Sequence, residues 1–406
     1  MRIQWKDFDL WLFIAAFALS LIGIFLIFSA KYYSTNPSEH HLYLKQALWV
    51  VFGLIVGGVI FYIPLRFHEV FSYFYYLLAV ACLALLLVSG ANQFVSARWF
   101  RLGWINLQPS EFAKLAFIFA LARYLSYTKR SIFSFKWLIT VAALVCLPAA
   151  LILRQPDLGT SLVFFALFLS MLFWAGVPIL FLLVLVSPLV SLISGFHWFT
   201  WALFFLGFLL VLYYLRPGLI FGGFVVLLNL AVGTVTPLVW NRLHDYQKLR
   251  ILTFLDPGRD TQGTGYQILQ SKVAVGSGGV LGKGFLQGSQ TKLAFLPMQH
   301  TDFIFTVVGE EFGIIGALVI LSLFGFLIAR GILIAKKTRN TFASFTALGI
   351  TTIFAFQMLV NIGMVIGVMP VTGLPLPFLS YGGSSMLLSW ICIGLLLAIC
   401  YKWYEY

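Results

Sequence analysis

The chain has few charged residues for its length. Only 10% of its 406 residues are Asp, Glu, Lys or Arg, whereas 61% are hydrophobic, and a soluble globular protein has about 25% charged residues. This composition excludes an ordinary soluble enzyme. It also excludes a disordered chain, because disorder requires low hydrophobicity. The sequence therefore predicts a polytopic membrane protein.

Cysteine is scarce as well. Cys82, Cys146, Cys392 and Cys400 all lie in apolar runs, without the paired spacing of a disulfide framework or of a metal site. We expect them to be core side chains. Acidic residues number only 13, against 26 basic ones. In a membrane protein this excess first indicates topology, because cytoplasmic loops are rich in Lys and Arg.

Apolar runs of about 17 to 25 residues predict membrane-spanning helices. Twelve such runs lie at 10–30, 46–63, 70–89, 110–127, 137–153, 158–176, 178–195, 198–215, 218–239, 303–329, 342–368 and 378–401. The breaks within 178–239 are weak, so ten or eleven spans are alternatives. The predicted fold class is all-α: a polytopic integral membrane bundle of about 10–12 transmembrane helices, forming one membrane-embedded domain over 1–406.

One long segment between the spans, 240–302, has little sustained apolarity. The basic residues of the short loops favour cytoplasmic termini, which makes this segment extracytoplasmic. It holds seven Lys and Arg residues and a cluster of glycines. We predict a short amphipathic surface helix at about 266–275. The run Gly278–Gly284 resembles a phosphate-binding loop but lacks the required first glycine and the final Ser or Thr.

Ionisable residues next to membrane spans are the candidates for chemistry, because they are costly to bury. Glu111 and Lys114 are three residues apart on a predicted helix, so a structural ion pair and a functional site are equal alternatives. Asp157 stands where a helix cap is expected. For Asp302, composition alone favours capping over a role as general base, although no capping box supports it.

A set of motifs, taken together, resembles the SEDS family (shape, elongation, division and sporulation proteins). The motifs are Trp99 with Gln108–Lys114, Gln155–Thr160, His244–Gln247, Leu255–Pro257, Gly265–Lys272, His300–Phe305 with Gly309–Glu311, and Pro370–Ser385. The last of these looks like the elongation, or RodA-like, branch. The resemblance covers nearly the whole chain in order.

The resemblance implies a peptidoglycan glycosyltransferase that polymerises lipid II on the outer face of the bacterial inner membrane, for cell elongation and rod shape. In that family the acidic residue matching Asp302 is essential, which reverses the weighting from composition. Asp302 would accept the proton of the attacking GlcNAc 4-hydroxyl in an inverting reaction, or would hold a divalent cation, Mg²⁺ or Mn²⁺. No organic cofactor is expected.

The resemblance also suggests further site residues and partners. Residues expected to bind the substrate diphosphate or the lipid-linked sugar are Arg98, Trp99, Lys114, Arg242 and Lys272. Residues expected to support the site are Gln108, Glu111, His300, Thr301 and Glu310. The expected partners are a class B penicillin-binding protein, lipid II, undecaprenyl-diphosphate-linked glycan and other membrane proteins of the elongation complex, with no nucleic acid.

Two departures and two rival functions accompany this interpretation. The family has ten spans, so the twelve counted here predict an additional helix pair within 178–239. The acidic residue that often precedes the His-Thr-Asp-Phe motif is replaced by Met298. A flippase for lipid-linked precursors and a non-catalytic scaffold for a penicillin-binding protein are the alternatives.

Overall fold

The computed structural model describes residues 8–34, 39–89, 98–102, 105–128, 135–216, 218–242, 248, 253, 263–293, 296 and 298–401. Within these ranges the chain is almost entirely helical. The helices are α1 Leu10–Tyr32, α2 Leu42–Tyr62, α3 Leu65–Ser89, α4 Pro109–Tyr127, α5 Phe135–Arg154, α6 Leu158–Trp174, α7 Ile179–Ser194, α8 Trp198–Leu215, α9 Leu219–Arg242, α10 Thr264–Ser277, α11 Ser289–Lys292, α12 Ile304–Lys337, α13 Thr341–Val365 and α14 Gly383–Tyr401.

The predicted fold class is confirmed, since a helix lies in each of the twelve predicted spans. Eight helices in the described ranges are long and apolar enough to cross a membrane: α1, α2, α3, α8, α9, α12, α13 and α14. The helices α5, α6 and α7 are apolar but shorter. A helix is also present where the surface helix was predicted, at 266–275, and it is α10.

Some predicted boundaries are wrong for local reasons. The span predicted to begin at 378 begins at Gly383, because Phe378 has a φ of 65° that interrupts a helix. The span predicted at 303–329 extends to Lys337 and breaks within the membrane at Gly313, where φ is 60° and ψ is −154°.

A two-stranded antiparallel hairpin, which the sequence analysis missed, precedes α4. Its strands are β1, Phe100–Leu102, and β2, Ile105–Leu107, with Phe100 opposite Leu107. The Oγ of Ser384 at the start of α14 accepts a hydrogen bond from the backbone N of Gln108 at 3.0 Å and donates to the carbonyl of Asn106 at 3.2 Å. The hairpin is thereby fixed to the bundle.

Most buried side chains form one core, to which α1–α7 and α12–α14 contribute. A second, smaller core of Val184, Phe208, Leu212 and Val225 joins α7, α8 and α9. These three helices occupy the region in which an additional helix pair was predicted. Asn229 is fully buried there, and its Nδ2 donates to Ser187 Oγ at 2.9 Å.

Close packing of α2 against α14 depends on glycines, as the small-xxx-small spacing of Gly53 and Gly57 predicts. A Cβ on Gly57 would come within 2.6 Å of the carbonyl oxygen of Trp390, and one on Gly53 within 2.8 Å of the Trp390 ring. Gly58, one residue further along, has nothing within 4 Å of the corresponding position.

We therefore expect Gly57→Leu to destabilise the protein by about 1–3 kcal/mol, the usual cost of overpacking a core. Gly58→Leu is the matched control and should leave the thermal midpoint nearly unchanged. The measurement is thermal unfolding in detergent. Equal midpoints for the two variants would contradict the assigned α2–α14 contact.

Candidate functional site

Asp302 lies in the turn before α12, and its side chain does not cap the helix. The N-cap is Phe303, without a side-chain capping hydrogen bond. The capping role weighed from composition is therefore wrong, and the Asp302 carboxylate is not used to cap α12. Gly373 lies beside it, since a Cβ there would come within 3.5 Å of Asp302 Oδ2.

The backbone around Asp302 is fixed by a fully buried amide. Asn361 on α13 donates from Nδ2 to the carbonyl of Asp302 at 2.8 Å and to the carbonyl of Leu374 at 2.7 Å. One side chain thus joins the turn before α12 to the segment that follows α13. The segment 372–374 forms one wall of the site, with Asp302 on its turn facing it.

Asp157 supplies a second carboxylate close enough to act on Asp302. It caps α6, as predicted: Oδ1 accepts from Thr160 N at 3.1 Å and Oδ2 from Thr160 Oγ1 at 3.0 Å. Gly159, two residues further on, packs on the backbone of the same segment, because a Cβ there would lie 2.6 Å from the carbonyl oxygen of Thr372. The cap therefore also sets the position of the negative charge.

Arg98 supplies a positive charge beside the turn that leads into Asp157. Its Nε donates to the carbonyl of Gln155 at 3.0 Å, and a terminal nitrogen donates to the carbonyl of Pro156. Gln155 is buried and donates from Nε2 to the carbonyl of Leu83 at 3.1 Å. These contacts attach the guanidinium to the turn that leads into Asp157. Trp99, the next residue, is 38% exposed.

The three charged groups set the protonation of Asp302. Burial and, to a smaller extent, the nearby Asp157 carboxylate raise the pKa of its carboxyl, Arg98 lowers it, and the net result is a pKa of about 6. A carboxylate whose pKa lies near the working pH is suited to accept a proton from a substrate hydroxyl.

Glu111 and Lys114 form a buried ion pair on α4, with Oε1 and Nζ 2.8 Å apart and both side chains almost fully buried. This is the geometry of the structural alternative, in which the two charges neutralise each other in the membrane. A role of Lys114 in binding a diphosphate stays a prediction.

The remaining predicted ligands, Lys272 and Arg242, lie in the long segment 240–302. Lys272 on α10 is exposed, and its end lies against Gly367 in the segment that follows α13. The Oγ of the neighbouring Ser271 donates to the carbonyl of Val365 at 2.6 Å, which fixes α10 there. Arg242 ends α9, and its side chain lies outside the described part of the structure.

His300 and Thr301 hold the turn before Asp302 against the start of the last helix. The carbonyl of His300 accepts from Tyr381 N at 2.8 Å, and the carbonyl of Thr301 accepts from Ser380 Oγ at 2.6 Å. Burial lowers the pKa of His300 to about 4, so its ring is neutral at pH 7. These two residues support the site mainly through their backbone.

The glycine run rejected as a phosphate loop has a structural task that sequence reasoning missed. Where α12 breaks, the carbonyls of Glu310 and Glu311 accept from Lys283 N and Gly284 N, each at 3.0 Å, and Ile314 N donates to Gly279 at 3.0 Å. Backbone groups freed inside a membrane need such partners. Only glycine suits Gly282, whose φ is 80° and whose Cβ would collide with the Glu311 carbonyl.

The Glu310 carboxylate binds the same loop through five contacts and is fully buried. It pairs with Lys283 Nζ at 2.9 Å. It also accepts from Ser289 Oγ at 3.2 Å, Gln290 N at 2.9 Å, Thr291 N at 3.1 Å and Thr291 Oγ1 at 2.9 Å. The short helix α11 is thereby tied to the helix that starts beside Asp302.

Because Glu310→Ala would leave the buried N–H and hydroxyl of Thr291 without their acceptor, at a cost of about 1–3 kcal/mol each, we expect it to lower the stability and to increase amide exchange over 283–292. Glu39→Ala is the control, since Glu39 is 33% exposed in its pair with Lys31 and an exposed pair contributes about 0–1 kcal/mol. Hydrogen exchange in detergent measures both. Unchanged exchange in Glu310→Ala would contradict the loop attachment.

Comparisons with known proteins agree with this architecture. A family model for cell cycle proteins of the FtsW, RodA and SpoVE type matches residues 9–202 and 198–404. The peptidoglycan glycosyltransferase MrdB of Escherichia coli K12 is 34% identical over 384 residues, covering 94% of this chain and 91% of its own. The peptidoglycan glycosyltransferase RodA of Treponema pallidum is 35% identical over 436 residues, covering 98% and 99%.

Solved structures are similar over the whole chain. One, described as the structural coordination of polymerization and crosslinking by a peptidoglycan synthase complex, has a TM-score of 0.73 at 30% identity and covers 98% of this chain and 99% of that chain. The rod shape determining protein RodA of Thermus thermophilus has a TM-score of 0.64 at 25% identity, with coverage of 98% and 99%. This chain therefore belongs to the FtsW, RodA and SpoVE family of cell cycle proteins, the SEDS family that its motifs predict.

Proposed function

We propose that this protein is a peptidoglycan glycosyltransferase that polymerises lipid II into β-1,4-linked glycan for cell elongation. The observation that carries the proposal is the Asp302 carboxylate next to the Arg98 guanidinium. Burial and Asp157 raise the pKa of this carboxylate to about 6. Relatives that match nearly the whole chain are named for the same activity.

The reaction joins the 4-hydroxyl of GlcNAc on one lipid-linked sugar to the anomeric carbon of another. As the new C–O bond forms, Asp302 takes the hydroxyl proton, and the bond from the anomeric carbon to the undecaprenyl diphosphate breaks. One base and one activated leaving group are enough for inversion at that carbon. Positive charge near the departing diphosphate stabilises it, and Arg98 provides such charge next to Asp302.

A divalent cation, Mg²⁺ or Mn²⁺, is compatible with this donor set. Among the described residues no group of three His, Cys, Asp or Glu side chains could hold a metal ion. Mg²⁺, however, commonly binds through one or two carboxylates together with substrate phosphates and water. In that alternative Asp302 would hold the ion instead of accepting the proton, and the ion would neutralise diphosphate charge.

An apolar cleft below the hairpin suits the polyprenyl chain. It has a volume of about 470 Å³ and is lined by α2, α3, α4 and α14 and by Phe100 and Leu107 of the hairpin. The hairpin is directly preceded by Arg98 and Trp99. A lipid tail in this cleft would leave its diphosphate at the Arg98 side of the site.

The polarity of the bundle supports an active site outside the cytoplasm of the inner membrane, with both termini inside. Asp302 precedes α12, whereas Lys336 and Lys337 end it. Near the end of α12 that carries Lys336 and Lys337, Arg330 pairs with Asp9, with 2.6 Å between NH2 and Oδ2. Basic residues concentrate on cytoplasmic ends, which supports a position of Asp302 outside the cytoplasm.

A class B penicillin-binding protein is the proposed partner, because the similar solved complex couples polymerization to crosslinking. Such a partner would supply the transpeptidase. Other membrane proteins of the elongation complex are proposed on the resemblance alone.

If Asp302 is the base, Asp302→Asn should reduce polymer formation by about 10²- to 10⁴-fold, the usual contribution of general acid–base catalysis. The protein is purified with its partner and given lipid II, and muramidase-sensitive polymer is measured. Glu69→Gln, a carboxylate near the opposite end of the bundle, should retain activity.

Thermal unfolding and partner binding should be unchanged in Asp302→Asn. Full polymerisation by this variant would exclude Asp302 as the base. Movement of labelled lipid II across sealed vesicles without polymer would favour a flippase, and normal cell shape in cells expressing Asp302→Asn would favour a scaffold.

The rate should also depend on pH through Asp302. The base must be deprotonated, and its pKa is raised to about 6, so the rate should be constant above about pH 7 and fall by about tenfold per pH unit below 6. Initial rates between pH 5 and 8, with thermal unfolding at each pH as the control, measure this. A flat profile would contradict the proton-accepting role.

A further inference from the structure

A second apolar cavity lies on the other side of the bundle, between α1 and α12. Its volume is about 620 Å³, and its lining is almost wholly apolar. Phe25 of α1 and Ile315 and Val319 of α12 line it and are 61%, 48% and 49% exposed. The cavity is therefore a cleft that opens sideways, toward the hydrocarbon of the membrane.

The loop 278–288, which contains the glycine run and is called the glycine loop, forms the outer wall of this cleft. Leu281 and Phe285 of the loop line it, and Leu281 is 78% exposed. Phe285 also packs near Phe312 of α12, with 6.4 Å between ring centroids. The loop that satisfies the broken α12 thus extends the apolar surface to the outer end of the bundle.

Aromatic rings lead from the cleft to a cation. Phe285 stacks with Phe28 at 6.4 Å, Phe28 contacts Tyr32 at 5.4 Å, and Tyr32 contacts Tyr33 at 4.9 Å. The Lys292 ammonium lies 5.3 Å from the centre of the Tyr33 ring. An apolar trough that ends in aromatic rings and a cation matches an amphiphile with an anionic head group.

The outer end of this cleft borders the turn that bears Asp302. Gln299 donates from Nε2 to the carbonyl of Gln290 at 3.4 Å, which joins α11, the helix of Lys292, to the residue next to His300. His300 is two residues before Asp302. The first cleft reaches the site from the side of Arg98, so Asp302 lies between two lipid-facing clefts.

The proposed reaction joins two sugars that each remain attached to a polyprenyl diphosphate, and two such chains need two apolar paths to one carboxylate. We propose that the α1–α12 cleft binds the second lipid-linked substrate, with its polyprenyl chain against Phe25 and Val319 and its diphosphate at Lys292. This inference depends on the proposed function. A transmembrane helix of a partner would fill the apolar part but would have no use for the cation at the outer end.

The test uses a photoreactive polyprenyl diphosphate and the full chain with its partner in nanodiscs, in the Asp302→Asn background so that the probe is not consumed. Mass spectrometry of the cross-linked peptides should find label on α1 and α12 as well as at the first cleft. Val319→Trp or Ile315→Trp would fill the cleft with an indole ring. Each should therefore reduce the α12 label by about tenfold or more, which corresponds to at least about 1.4 kcal/mol of binding free energy. Leu333→Trp, exposed further along α12, is the matched control and should not.

In the active background, Val319→Trp should raise the KM for lipid II with little change in kcat, and Lys292→Ala should act in the same direction. Lys336→Ala, which removes a charge from the other end of α12, should have no effect. Thermal unfolding shows whether each variant is folded, and Ile315→Trp replaces Val319→Trp if the latter is not.

Three results would overturn the assignment of this cleft. Label confined to the first cleft would show that the α1–α12 cleft is not a substrate site. Equal competition by an ordinary anionic phospholipid would identify a structural lipid. Loss of partner binding in Val319→Trp with unchanged labelling would identify a protein interface. Absence of polymer from the wild-type protein with its partner would instead overturn the proposed function.

Discussion

A helix that breaks inside a membrane must find new partners for the backbone groups it releases, because lipid offers none. In α12 the break at Gly313 frees the carbonyls of Glu310 and Glu311, and the glycine loop supplies the missing donors. The buried Glu310 carboxylate then binds α11 and Lys283. These contacts attach the glycine loop and α11 to the helix that begins beside Asp302. The position of the site therefore depends on them.

The second organising feature is the balance of charge around Asp302. A carboxylate beside a guanidinium would normally stay ionised, but for the half-buried Asp302 desolvation and the Asp157 carboxylate outweigh Arg98 and raise its pKa. Each neighbour is fixed by backbone contacts: Asp157 by capping α6, and Arg98 by the carbonyls of the preceding turn. The balance is therefore built into the turn between α5 and α6, which explains how a short loop can tune a residue on a distant helix.

The sequence was sufficient for the helices, because long apolar runs have few alternatives in a membrane. It was also sufficient for the cap by Asp157 and for the packing of Gly53 and Gly57. It did not give the hairpin, since its two strands of three residues are too short to show a periodic pattern. It excluded a phosphate loop at the glycine run but did not predict its structural role, because glycine at positive φ suits many kinds of turn and does not show which segment the turn contacts.

The sequence by itself determined that the protein spans a membrane and which family it belongs to, and it predicts Asp302 as the principal carboxylate. Only the tertiary structure decided that the Asp302 side chain does not cap α12 and that the charges of Asp157 and Arg98 lie near it. It also decided that Glu111 neutralises Lys114 within the bundle. Asp157 and Asp302 are separated by more than a hundred residues, and no local pattern reports such a distance. Hydropathy depends on residue type alone, whereas a pKa depends on which charges the fold brings together.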